Sequence, residues 1–211
     1  MGNNLYPYRS TFLKQQALEA WSYFEKEGYP HSKNENWRFS NIDNWLLDNS
    51  PINKYKEKFN TNNFSKYIIA NTYSIYILND SVFSPNKLPF DIKIFNMNQI
   101  PKTEFDNVAI GSIANYNNNS FIAENMALFQ NGCIINIPEN TIIDKPLHFI
   151  HDIIGKEDNR VYPRLFVNVG AGSEVNILQT EIGSDNYQHF INSVDEIIVN
   201  ARDQRERLKD R

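Results

Sequence analysis

The chain has 211 residues, is 41% hydrophobic and carries a formal net charge of −4. That length supports one good core or two small ones, and the weakly acidic balance excludes the basic footprint of a non-specific nucleic-acid binder. A lone cysteine, Cys133, excludes an internal disulfide and fits a reducing compartment. No basic N-terminal segment precedes an apolar run, and no apolar stretch is long enough to cross a bilayer, so a cytoplasmic chain without a membrane partner is expected.

The first element is an amphipathic helix. Ser10 or Thr11 can cap it, and Leu13, Ala17, Ala20, Trp21 and Phe24 recur at helical spacing to form one apolar face. Gly28 can take the left-handed conformation that ends a helix, and Pro30 prevents its resumption. A second helix is expected from about Ser40, with Ile42, Trp45 and Leu46 on its buried side and a stop at Asn49-Ser50-Pro51. From Tyr67 the pattern becomes β. Tyr67–Ala70 and Tyr73–Leu78 read as a hairpin or two adjacent strands, and Ile92–Phe95 as a third. Ser84–Pro89 reads as the loop between them. This middle part is expected to be a small α+β unit, held to the first helices by aromatic contacts.

After the polar stretch Asn115–Asn119, short strands follow one another with no helix between them. They are Cys133–Ile137, Leu147–Ile150, Leu165–Val169, Val175–Leu178 and Val194–Val199. Turns at Pro138-Glu139-Asn140, Lys145-Pro146 and Gly170-Ala171-Gly172-Ser173 punctuate them. Short strands at short intervals indicate a sandwich, a barrel or a β-solenoid. The alternation of Leu165, Val167 and Val169 with Phe166 and Asn168 predicts one buried and one wetter face. The ending, residues 201–211, is nearly all charged with one apolar residue, and is expected to be a solvated tail.

Few residues carry chemistry. His148 and His151 lie three apart in a strand, so they point to opposite faces and do not converge on one metal. His31 and His189 have no companion motif. Gly170-Ala171-Gly172 lacks the later glycine and following helix of a dinucleotide fingerprint, and the chain has no Walker pattern, so it should not bind ATP itself. The two glycines more simply supply a tight corner. Asp152, Glu157 and Asp158 read as a charged loop rather than paired carboxylates for sugar chemistry.

The segment Gly28-Tyr29-Pro30-His31-Ser32-Lys33-Asn34-Glu35-Asn36-Trp37-Arg38-Phe39-Ser40 resembles the N-terminal signature of the SufB/SufD family of iron–sulfur cluster assembly proteins, SufD most closely. Further fragments follow in the family's order. They are Phe121–Gly132, Ile137-Pro138-Glu139-Asn140, Lys145-Pro146-Leu147-His148, Pro163-Arg164-Leu165, Gly172–Val175 and Asn192–Ile197, which carries Glu196. The signature residues Gly28, Pro30, Lys33, Glu35, Trp37, Arg38, Pro138, Pro146, Pro163, Arg164, Asn192 and Glu196 are expected to be structural or partner-facing.

The resemblance implies a mainly β protein with α: an N-terminal helical and α+β region (1–114), then the first coils of a right-handed parallel β-helix (115–200), then the charged tail (201–211). It implies a non-catalytic scaffold that pairs with a SufB-like subunit and, in the full-length protein, with a SufC-like ATPase. An iron–sulfur cluster and ATP are implied only through that assembled complex, and no cofactor is expected on this chain alone. The likeness stops near Asn200, which reads as a C-terminal truncation, so none of the family's cluster-related Cys and His residues is carried onto this chain. Within this frame Cys133, beside Ile134 and Ile135, is expected to be a buried small hydrophobe. Trp37 is expected to anchor the helical region to the β part, and Arg38 to satisfy helix-end carbonyls. The rival readings are a β-solenoid carbohydrate-active enzyme, which would need convergent carboxylates or a catalytic histidine on one face, and a plain interaction module.

Overall fold

In a computed structural model the described residues are 11–40, 42, 46, 50–53, 58–84, 87–100, 110–183 and 186–201. They fold as a mixed α/β structure in which no sheet closes into a barrel. No described helix is long and apolar enough to cross a membrane.

Helix α1 (Thr11–Glu27) forms as its spacing predicts. Leu13, Ala17 and Ala20 are buried, and Trp21 and Phe24 pack against the same core. Gly28 ends the helix at φ +66°, with its N–H donating to the Phe24 carbonyl at 2.8 Å. The expected cap at Ser10 or Thr11 lies outside the described side chains. The expected helix from Ser40 also falls largely outside the described residues, Trp45 and Asn49 included; Ile42 is buried and Leu46 packs at the edge of the α1 core.

Strand β1 (Tyr73–Leu78) turns through Asn79 into β2 (Ser81–Phe83), and β3 (Lys93–Asn96) follows. The expected strand at Tyr67–Ala70 does not form. Tyr67 closes a 3-10 helix (Thr61–Tyr67), and Ile68 and Ile69 are exposed. The reason is pairing: β1 already has β2 on one side and a later strand on the other, so it offers no free edge.

A helix that the strand pattern passed over, α2 (Ser120–Leu128), follows. Asn119 caps it, its Oδ1 accepting from Phe121 N at 2.9 Å and Ile122 N at 3.3 Å. Then come β4 (Cys133–Ile137), β5 (Leu147–Asp152), β6 (Asn159–Val161), β7 (Arg164–Val169), β8 (Ile177–Ile182), β9 (His189–Ile191) and β10 (Val194–Val199). Sequence reading finds β4, β5, β7 and β10; β8 starts at Ile177, not at Val175, and runs on to Ile182, and β6 and β9, three residues each, are too short to show alternation.

These strands pair in parallel at nearly constant offsets. Cys133 lies opposite Leu165, Arg164 opposite Val194, Leu147 opposite Ile177 and Asn159 opposite His189. The sheets run β2-β1-β5-β8, β10-β7-β4-β3 and β6-β9. So β1 and β3 do not build a separate middle unit: β1 lies parallel to β5, and β3 antiparallel to β4. The aromatic contacts of α1 go to α2 and β9 rather than to the middle part. Phe24 meets Tyr29, which meets Phe121 and Phe190.

Alternation along the strands feeds two cores. Ile135, Ile137, Leu147, Phe149, Leu165, Val167 and Val169 fill the space between the sheets with Cys133 among them. Ile134 and Phe166 point the other way, and are buried under α1 and α2 with Met126 and Phe129. The face expected to be wetter is therefore sealed at Phe166, because helices cover it, and only half-buried at Asn168. Gly170 owes its place to crowding rather than to a positive φ: a Cβ there would sit 2.5 Å from the Glu139 backbone nitrogen. Gly172 supplies the left-handed turn at φ +71°.

Candidate functional site

The motif residues gather in two places. The first is a polar seam sealed between α2 and the parallel strands. Arg164, at the start of β7, donates from Nη2 to Glu196 Oε1 at 2.6 Å, and both side chains are wholly buried. Arg164 also donates from Nη1 to Asn125 Oδ1 at 2.8 Å, and its guanidinium lies over the Phe129 ring at 5.3 Å. The Glu196 carboxylate accepts the backbone N–H groups of Gly111, at 2.8 and 2.9 Å to its two oxygens, and of Ile113 and Ala114, each at 3.2 Å. Several backbone donors in a short turn make a fixed socket for a carboxylate.

The seam continues along α2. Asn125 Nδ2 donates to the carbonyls of Pro163 (2.9 Å) and Asn192 (2.7 Å). Asn192 Nδ2 donates to the Phe121 carbonyl at 2.8 Å and to Glu124 Oε2 at 3.1 Å. Glu124 Oε1 takes the hydroxyls of Tyr162, at 2.8 Å, and of Tyr29. Burial pushes the Glu124 carboxyl up, against the pull of its bonds from Tyr29, Tyr162 and Asn192. The same burial, with the Glu124 charge beside them, pushes both phenols up, so they stay protonated donors. Chemically this arrangement holds rather than reacts: it fastens α2, the residues after α1 and the 110–114 turn to the strands.

Pro163, Arg164, Asn192 and Glu196 thus meet, as a set that only the fold brings together. Glu124, Asn125 and Tyr162 were missed as members. The available signal was a Glu-Asn pair in the middle of the apolar run Phe121–Phe129.

The second place is a groove of about 430 Å³ between the turn after α1 and the start of α2. Gly28, Pro30, Glu35 and Trp37 line one wall; Asn118, Asn119 and Ser120 line the other. A short 3-10 helix, Glu35–Trp37, sets the first wall, and Trp37 packs on Phe121 of α2 with ring centroids 5.2 Å apart. Trp37 therefore anchors its segment to α2, and not to the β part that the sequence leads one to expect. Arg38 does not serve helix-end carbonyls: its guanidinium faces Glu35 at 3.8 Å and lies over the exposed Phe39 ring at 4.7 Å. Lys33 is exposed beside the groove. Pro138 and Pro146 lie in neither place and serve corners: the Pro138 carbonyl accepts from Ser173 Oγ at 2.7 Å, and the Pro146 carbonyl from Tyr73 N at 2.9 Å.

Of the remaining candidates, Cys133 and His151 line one small cavity of about 30 Å³ with Asp195, and His148 stands outside it. Cys133 is 2% exposed, and burial with Asp195 nearby pushes its thiol up, away from the reactive thiolate. His148 Nε2 bonds Thr180 Oγ1 at 2.9 Å, whereas His151 Nε2 meets the Asn79 carbonyl at 2.5 Å. Among the described residues no group of three or more His, Cys, Asp or Glu is placed to hold a metal ion. Asp152 does not share the loop but ends β5, half-buried, whereas Glu157 and Asp158 lie in the exposed loop after it, where Asp158 accepts from Gln188 N at 2.8 Å.

The family pattern described as the SufBD protein N-terminal region matches residues 3–149. The chain belongs to the SufBD family, which ties it to iron–sulfur cluster assembly by the SUF system. The match does not separate SufB from SufD. No curated protein matches the chain.

Proposed function

We propose that this chain is a SufD-like, non-catalytic scaffold component of the SUF system, working against a SufB-like subunit and a SufC-like ATPase in a cytoplasmic complex. In this reading residues 115–200 hold the opening coils of a right-handed parallel β-helix, and β1 and β3 of the preceding region join its sheets. The nascent cluster and ATP are handled by the assembled complex, and this chain contributes shape and contacts.

The observation that carries the reading is the family match over residues 3–149. The regular ladders support it: parallel partners 30 or 32 residues apart are what stacked coils of one solenoid require. So does the last strand. In β10, Ile197 is 46% and Val199 69% exposed, although their ladder neighbours Val167 and Val169 are buried. Apolar side chains exposed on a ladder strand are a surface for a further layer or a partner.

The test is co-expression with a SufB-like and a SufC-like protein from the same source, followed by size exclusion. Co-elution with the SufB-like protein, and none with SufC alone, is expected. A folded monomer that elutes with neither protein would overturn the scaffold reading and leave the family as ancestry.

A further inference from the structure

We propose that the groove between the 28–37 turn and the start of α2 binds an extended, basic segment of polypeptide. This inference stands apart from the assembly reading and does not require it.

The groove has the volume of a small-ligand pocket but the wrong lining for one, since such pockets are mostly apolar. Its walls set asparagine amides and the carboxylates of Glu27 and Glu35 among Tyr23, Tyr29, His31 and Trp37. Asn36 faces it from one side and Asn118 from the other, and both are exposed with side chains that bond to no described residue. Each amide offers a donor and an acceptor together, which is the complement of a peptide unit. Asn34 and Asn119 already use their oxygens, on His31 N and at the α2 cap, and that leaves their NH₂ groups as donors. Donors and acceptors on two facing walls suit an extended backbone running between them.

Charge selects the side chains. Glu27 and Glu35 line the groove, and no Lys or Arg is among its described lining residues. Their present partners, Lys26 at 2.8 Å and Arg38 at 3.8 Å, make solvent-exposed pairs, which exchange at little cost. The half-buried Trp37 ring supplies a face on which the methylene stem and cation of a Lys or Arg can lie. A neutral glycan could use the amides but would gain nothing from the two carboxylates.

The test is to pan a phage-displayed random 12-mer library on the folded chain, with the Asn36→Ala/Asn118→Ala/Glu35→Gln variant as counter-selection. Enriched peptides are then synthesised, labelled and measured by fluorescence anisotropy. The expected result is enrichment of Lys- or Arg-bearing sequences. Their affinity should fall at least tenfold on the triple variant, fall again on Trp37→Ala, and weaken as salt rises. Since Trp37→Ala removes a packing contact, the triple variant is the primary readout, with circular dichroism as its fold control. No enrichment over the counter-selection, enrichment of acidic or purely apolar peptides, or a glycan-array signal lost on the same variant would each overturn the proposal.

Discussion

The seam around Arg164 and the groove beside Trp37 both hold motif residues, and they differ in how those residues are spent. In the seam Arg164 and Glu196 are wholly buried, and each is held by further groups, Asn125 on one side and the 110–114 turn on the other. In the groove Asn36 and Asn118 are exposed and their amides bond to no described residue. A buried polar group must be partnered, because desolvation costs more than most contacts return. An exposed one is free to remain unbonded, and so is available to something else. The difference therefore separates residues that keep the fold from residues that can face a partner; the groove lies within the 3–149 family match, whereas Arg164 and Glu196 lie beyond it.

The sharpest way to break this comparison is Glu196→Ala. It strands the Arg164 cation without its counter-charge and leaves the N–H groups of Gly111, Ile113 and Ala114 without their acceptor. Losing one partner of a buried pair costs roughly 3–5 kcal/mol. Urea unfolding should show that loss as a lower midpoint at nearly unchanged slope. A loss under about 1 kcal/mol would mean that water reaches the seam, and the contrast with the groove would fail.

Sealing also shows as pH dependence. His151 is buried against the Asn79 carbonyl, and burial pushes its pKa down to about 4. Below pH 6.5 the unfolded chain binds a proton at this residue that the folded chain refuses until about pH 4. Its contribution to stability is therefore lost as pH falls through that window, by about 3 kcal/mol in full. Glu124 and Asp195, both pushed up by burial, work in the opposite sense. Their folded forms keep a proton that the unfolded chain has released, so their share is present at low pH and lost as pH rises through their raised pKa values. Comparing the wild type with His151→Gln isolates the histidine: the variant should show a flatter fall between pH 6.5 and 4. Parallel curves would refute the assignment.

How much of this was legible depended on whether the governing contacts were local. Helix α1, its stop at Gly28 and the strands β4 and β10 could be read because periodicity, a left-handed glycine and β-branched runs are written within a few residues. Helix α2 was readable in principle from Asn119 at its cap, but a polar Asn-rich stretch masked the start. The false strand at Tyr67–Ala70 has the right residues, and fails because both edges of β1 are occupied by segments distant in sequence. The seam lies furthest from local reading. Pro163, Arg164, Asn192 and Glu196 could be picked out as motif residues, but their meeting with Glu124 and Asn125 follows from the parallel register and from α2 lying across it.

The smallest expected effect completes the comparison from the groove side. Asn36→Ala removes an exposed side chain without a bond to any described residue, and Glu35→Gln neutralises an exposed carboxylate that has only a 3.8 Å pair to an exposed arginine. Neither change exposes a core group or strands a buried one, so each should shift unfolding free energy by no more than about 0.5 kcal/mol. Measured beside Glu196→Ala in the same denaturant series, the two variants test whether the walls of the groove carry fold stability. A loss above about 1 kcal/mol from either would make the walls structural, as the seam is. Unchanged stability joined to lost peptide affinity would place the effect of those side chains in recognition, since a folded chain that no longer binds has lost contacts to the ligand and not the scaffold that presents them.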